Sequence, residues 1–378
     1  MPAEIESEII LRCASTILHR FWQGAFQLEP PILVSDRDRN QVLRCHVHSE
    51  EIFPRSVIVK VIKDPLDTAR GMTDWASLSF LSQIMHANSV APGFLGGDRE
   101  HQLFVMEDLG AGGSIEDIML THDTLRAMTM LRALARQMGL LHAATTGKEK
   151  LFQRLCEDLS LAAVPARFQE AERWLAGCQK VKDWCRELGY TPPSGFDQVC
   201  MQIAHFYAHP GDLLAFTHGD PAPTNNYLKG NEIYLVDFEY AGFRHLLYDL
   251  TGWNILCPLP KACVRQMRNE LLVALASTFP ALTDSQMYQS SWAMLCTYRA
   301  LALLSWMPLH LIRQNEPWVG DWSKREAMMS ALYRWEEATR GVKDLEVMSR
   351  MSSQLLKRSR ALWPDIPIEC IPQWPAFT

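Results

Sequence analysis

His218-Gly219-Asp220-Pro221-Ala222-Pro223-Thr224-Asn225, followed by Tyr234-Leu235-Val236-Asp237-Phe238-Glu239, is the most chemically informative part of the chain. Asp220 and Asn225 put a carboxylate and an amide oxygen on one loop. Asp237, at the end of a short apolar run, supplies a second carboxylate, and a hairpin joining Asn225 to Asp237 brings that pair side by side. Oxygen ligands of this kind suit a hard cation such as Mg²⁺. Phosphoryl transfer from a nucleotide needs one carboxylate to take the proton of the attacking hydroxyl, and further oxygens to hold Mg²⁺ against the phosphates. Asp220 fits the first requirement; Asn225 and Asp237 fit the second.

The two motifs resemble those of the aminoglycoside phosphotransferase and choline kinase families, whose catalytic loop reads H-x-D-x-x-x-x-N and whose metal strand reads [IVL]-D-[FW]-[ED]. That resemblance implies a protein-kinase-like two-lobed α+β fold, with a small β-rich N-lobe and a large, mostly helical C-lobe. It also implies ATP or GTP as donor, Mg²⁺ as cofactor, and a small-molecule hydroxyl acceptor, aminoglycoside-, choline- or sugar-like. Asp249 matches the family aspartate that braces the catalytic loop from the following helix. Upstream, Lys60 closes the run Val57-Ile58-Val59, like the family lysine that touches the α/β-phosphates, and Lys63 is its rival three residues on. Asp74 resembles the helix acid that pairs with that lysine, although read alone it is an N-terminal helix acid favoured by the macrodipole. Asn40 fits the loop before the second strand. Met106, Glu107 and Leu109 fall in a stretch, Val105 to Gly110, that resembles the hinge whose backbone hydrogen-bonds adenine.

Two departures from the family pattern stand out. The loop expected to cover the phosphates, Ser35 to Asn40, contains no glycine, so its backbone lacks the usual freedom to approach an anion. It carries Asp36 and Asp38, which repel phosphate, and Arg37 and Arg39, which can compensate. The helix acid is Asp74 where the family has Glu, one methylene shorter, which calls for a closer helix or a bridging water.

Working outward, the first hundred residues read as an opening amphipathic helix over Glu4–Trp22 and then strands at Ile32–Val34, Val42–Val47, Ser56–Ile62 and Gln102–Met106. A helix near Asp74–Met85 interrupts them. Past the glycine-rich Glu107–Gly113 the period becomes helical, over Leu125–Ala144, Phe152–Leu188 and Tyr248–Leu362, with a β island at Ile233–Phe238. The expected organisation is an N-lobe over 1–106, a hinge over 107–113 and a C-lobe over 114–378.

Composition narrows the function classes. The 378 residues are 48% hydrophobic and 21% charged, which suits a soluble globular chain able to bury its own core. A formal charge of −6 argues against a nucleic-acid binder that works through a basic surface. No membrane association is expected: the most apolar stretch, Ala300–Ile312, is too short to span a bilayer and contains Pro308 and His310. The ten cysteines form no CxxC pair and no Cys/His cluster with zinc spacing, so buried, reduced thiols in the cytoplasm are expected. Most tryptophans of the helical part, including Trp253, Trp292, Trp306, Trp318 and Trp322, read as core. His218 reads as a structural hydrogen-bonder.

Two other readings compete. A protein kinase needs an activation loop, and the interval between Asp237 and Asp249 leaves no room for one. A non-catalytic kinase-like binding protein fits the glycine-free loop, but has no need of Asp220, Asn225 and Asp237 together.

Overall fold

The computed structural model describes residues 3–51, 53–63, 68–85, 89–162, 164–319 and 321–378. They fall into two compact units. The first comprises Met1–Ser114, Lys148–Ala163 and Asn225–Ala241; the second comprises Ile115–Gly147, Val164–Thr224 and Gly242–Thr378. The class is α+β, with the larger sheet in the first unit and most helices in the second.

The first unit is built on strands β1 (Gln27–Leu28), β2 (Ile32–Asp36), β3 (Asn40–His48), β4 (Ser56–Ile62), β5 (Phe94–Asp98) and β6 (Leu103–Glu107). All pair antiparallel in the order β1-β3-β4-β6-β5, with β2 also on β3. Helix α1 (Ala3–Leu18) turns Ile10, Cys13, Ala14, Ile17 and Leu18 onto one face of this sheet. There they meet Leu43, Cys45, Val57, Val59, Leu103 and Val105. The i, i+3, i+4, i+7 spacing on the helix and the period of two on the strands make that layer.

Because side chains alternate along β4, Val57 and Val59 face α1 while Lys60 points to the other side. That other side meets α2 (Thr68–Met85), whose Trp75 packs near Phe94 and Phe104. The helix starts six residues before the expected Asp74, which therefore sits in its second turn and away from the N-terminal dipole.

Two glycines set the closeness of this contact. A Cβ on Gly71 would lie 2.6 Å from Ile62, and one on Gly97 would lie 2.1 Å from the Trp75 ring. The shorter acid is thus served by a helix drawn in against β4. Gly71→Ala is expected to destabilise the protein, because overpacking of about 1–3 kcal/mol exceeds the gain of about 1 kcal/mol in helix propensity. Urea melts of the variant check this, and equal or greater stability would contradict the close-approach argument.

A hairpin, Asn226–Lys229 with Glu232–Leu235, completes the first unit, joined by Gly113–Ser114 as a third strand. In the second unit, helix Ser285–Trp306 is gripped through indole N–H groups. Trp174 donates to the Tyr298 carbonyl at 2.8 Å, and Trp335 donates to Thr297 Oγ1 at 3.0 Å. Of the five tryptophans singled out from sequence, Trp253 and Trp322 are buried, Trp292 and Trp318 are half-buried, and Trp306 is exposed.

The helical stretch expected over Phe152–Leu188 is two helices, Glu149–Asp158 and Ala166–Glu187, broken at Pro165 with Ser160 at φ 60°. The stretch from Tyr248 to Leu362 contains a small strand pair, Pro317–Val319 with Trp322–Ser323. All ten cysteines are free thiols. Among the described residues no helix is long and apolar enough to cross a membrane.

Candidate active site

In the first unit, the ammonium of Lys60 donates to Asp74 Oδ2 at 2.7 Å and to Asp237 Oδ1 at 2.7 Å. The second oxygen of Asp74, Oδ1, accepts from the backbone N–H of Phe238 at 2.9 Å. One helix carboxylate thus fixes both the lysine and the segment carrying Asp237. No water bridge is needed to reach the shorter acid. Burial alone would lower the Lys60 ammonium, but the charges of Asp74 and Asp237 outweigh it and hold it well above its usual range. The rival Lys63 has a side chain 40% exposed, against 6% for Lys60, and pairs with Asp36 at 2.6 Å.

Asp237 lies two residues past the strand Glu232–Leu235, in the left-handed region at φ 68°. Aspartate tolerates that conformation better than most residues. Val236 N–H donates to the Asn225 carbonyl at 3.0 Å, so the hairpin seats Asn225 next to the Asp237 segment, as the spacing led us to expect. An amide oxygen and a carboxylate brought into neighbouring segments by the hairpin fit a hard cation, and Asn225 and Asp237 are the residues that would hold it.

The loop between β2 and β3 is a tight turn in which Arg37 N–H donates to the Asn40 carbonyl at 2.9 Å. Two of its four charged residues form ion pairs. Asp36 pairs with Lys63, and Arg39 pairs with Glu239 at 3.0 Å. Burial and then the charge of Asp237 raise the carboxyl of Glu239 above its ordinary value, with Arg39 opposing. The stretch holding Met106, Glu107 and Leu109 is pinned by a residue that sequence reasoning passed over. Asp108 accepts from Arg44 Nε at 2.5 Å, Ser56 Oγ at 2.7 Å and Gly110 N–H at 2.9 Å. Tyr227 OH donates to the Gly110 carbonyl at 2.5 Å.

In the second unit, Asp249 on the helix Tyr248–Ile255 is buried and accepts from the backbone N–H groups of His218 (2.8 Å) and Gly219 (2.9 Å). Gly219 stands at φ 88°, where a side chain would be strained. His218 is buried, and its Nδ1 accepts from Asp220 N–H at 3.3 Å, a structural role as read from the sequence. Asp220 itself is exposed, which suits a group that must meet a substrate. The preceding strand, Leu214–Thr217, is paired with Gly242–His245 and tied to helix Thr124–Thr145 by His142 Nδ1 and the Phe216 carbonyl, 2.8 Å apart. Burial, and then the neighbouring His142, lower the imidazole of His245 to about 3.

Sequence reasoning also missed Arg244, Glu170 and Tyr207. Arg244 donates through Nε to Glu170 Oε2 at 2.8 Å and through Nη1 to Thr217 Oγ1 at 3.0 Å. Tyr207 OH donates to the same carboxylate. Thr217 immediately precedes His218, so this buried cluster fixes the strand from which the Asp220 loop departs.

This arrangement gives a charged, buried lysine held by two carboxylates in one unit, and a braced loop presenting an exposed carboxylate in the other. The chain is similar to small-molecule kinases of known structure. A choline/ethanolamine kinase family protein from Mesorhizobium loti is 16% identical, with 88% of this chain and 93% of that one covered, at a TM-score of 0.48. A choline kinase from Streptococcus pneumoniae is 14% identical, with 90% and 99% covered, at 0.46. A thermostable mutant of an aminoglycoside phosphotransferase, in ternary complex with ADP and hygromycin B, is 12% identical, with 87% and 98% covered, at 0.45. No protein-family model and no curated protein matches the chain.

Proposed function

We propose that this protein is a phosphotransferase that moves the γ-phosphoryl group of ATP or GTP to a hydroxyl of a small acceptor, with Mg²⁺ as cofactor. The observation that carries the reading is the Lys60 ammonium shared by Asp74 and Asp237, with Asp74 also holding the Phe238 N–H. A buried lysine kept charged by two carboxylates is costly to assemble, and it supplies a fixed cation for phosphate oxygens. In this reading Lys60, held by Asp74, contacts the α/β-phosphates. Asn40 stands at the base of the covering turn, and residues 107–113 act as the hinge, with Met106, Glu107 and Leu109 lining the adenine. Asn225 and Asp237 ligate Mg²⁺, which when bound neutralises charge on the phosphate oxygens. Asp220 accepts a hydrogen bond and then the proton of the acceptor hydroxyl, and its loop is kept in place by Asp249. Catalysis is positioning and charge neutralisation, with no covalent enzyme intermediate.

Thermal-shift titration with ATP and GTP, with and without Mg²⁺, tests the nucleotide site. A ligand that binds only the folded state raises the melting temperature by mass action. We expect a Mg²⁺-dependent rise in the wild type that is lost in Asp237→Asn. No rise with either nucleotide would turn the reading towards a non-catalytic binding protein.

A further inference from the structure

Away from these residues, the first unit brings Cys13 to a pair of side chains, Asp98 and His101, that lie far from it in the sequence and three residues from each other. Cys13 lies on α1, Asp98 at the end of β5, and His101 in the turn leading to β6. Cys13 Sγ is 3.4 Å from His101 Nδ1, and Asp98 Oδ1 is 3.2 Å from the same nitrogen. All three ligand atoms lie within 4.8 Å of one another. The packing that achieves this is tight, because a Cβ on Gly96 of β5 would lie 2.7 Å from Ile17 of α1. The helix can therefore approach the strand one turn past Cys13.

Two chemistries can use a thiol, an imidazole and a carboxylate. A nucleophilic triad needs the thiol on one ring nitrogen and the acid on the other, with the thiol acidified. Here both partners converge on Nδ1, and burial, followed by the charge of Asp98, raises the Cys13 thiol. Three donor atoms of these types within 4.8 Å of one another are what a metal ion organises. Tetrahedral zinc, with bonds of about 2.0–2.3 Å, sets its ligand atoms about 3.2–3.7 Å apart, and the two measured edges fall in that range.

We propose that Cys13, Asp98 and His101 form a binding site for a borderline-soft divalent metal of the zinc type, distinct from any Mg²⁺ held at Asn225 and Asp237. Thiolate and imidazole donors select zinc over magnesium. The ring and the carboxylate are each 30% exposed, leaving the fourth position to solvent. The backbone N–H of His101 donates to Asp98 Oδ1 at 3.0 Å and orients that ligand from behind. Binding displaces the thiol proton to solvent and uses the His101 tautomer protonated at Nε2. Its effect is to clip α1 to the β5–β6 turn. The site eludes spacing rules because Cys13 is separated from its partners by most of the sheet.

Cobalt(II) titration of the full, chelator-stripped chain tests this without reference to nucleotide chemistry. The wild type is expected to take one Co²⁺ per chain with a thiolate-to-cobalt charge-transfer band, and Zn²⁺ is expected to displace it and raise the melting temperature. Cys13→Ser loses the band, and His101→Gln and Asp98→Asn each lose at least about tenfold in affinity, the loss that follows removal of even an outer-shell partner. Cys156→Ser, at a half-buried cysteine elsewhere, leaves the titration unchanged. Absence of the band in the wild type, or its survival in Cys13→Ser, overturns the proposal. Should Cys13→Ser fail to fold, the variants at Asp98 and His101 decide it, and unchanged affinity in both rejects the site.

Discussion

Asp220→Asn is expected to lower phosphoryl transfer by about 10²–10⁴-fold, the usual contribution of a positioned proton acceptor, while leaving Mg²⁺-nucleotide binding unchanged. The amide keeps the shape of the side chain but cannot take the hydroxyl proton. The loop itself should survive, because its conformation rests on backbone N–H groups of His218 and Gly219 held by Asp249 and on the glycine geometry at Gly219. Steady-state kinetics beside a nucleotide titration separate the two effects. A variant with full turnover would remove Asp220 from the chemistry, and one that had also lost nucleotide affinity would give it a structural role instead.

The second large effect is on stability. Arg244→Met is expected to cost about 3–5 kcal/mol, because it leaves the half-buried carboxylate of Glu170 without its paired cation, although Tyr207 OH still donates to it. Burial alone would raise that carboxyl. In the intact protein the charge and hydrogen bonds of Arg244 outweigh burial and hold it below its ordinary value. A depressed carboxyl contributes stability above its unfolded value of 4.5, and that contribution is lost as the pH falls through the lower folded value. In Arg244→Met the sign reverses. Protonation relieves the buried charge, so the deficit against wild type is largest at neutral pH and shrinks on acidification. Adding Glu170→Gln should restore much of the loss, since no charge is then left unpaired. Urea unfolding across pH compares the wild type with both variants, and a deficit independent of pH would contradict the ion-pair account.

The parts of this protein legible in its sequence are those with a local signature. The β-branched run Ser56–Ile62 is the strand that forms, residue for residue, and the long helix expected over Leu125–Ala144 is Thr124–Thr145. Lys60, Asp74 and Asp237 were singled out by type and order, and the structure brings the three into one hydrogen-bonded cluster. What was not legible depends on contacts distant in sequence. Arg244 and Glu170 are 74 residues apart, and neither has a neighbour that marks it as buried. Strands Leu214–Thr217 and Gly242–His245 are four residues each, all buried but the half-buried Leu214, and too short to show a period. The break before Ala166 did have a signal in Pro165, which cannot sit inside a helix without removing a hydrogen bond. The zinc-type cluster was not marked either, since Cys13 reaches Asp98 and His101 only when α1 lies on β5.

The proposed activity moves a phosphoryl group from a nucleotide to a small hydroxyl compound. The direct measurement incubates the purified protein with Mg²⁺, ATP carrying ¹⁸O in its γ-phosphoryl group, and a small-molecule extract, and follows the label by mass spectrometry. The account predicts a labelled phosphate ester that forms with wild type, requires Mg²⁺ and does not form with Asp220→Asn. Label appearing only on protein, or nucleotide bound by the wild type with no labelled small molecule formed, would contradict it.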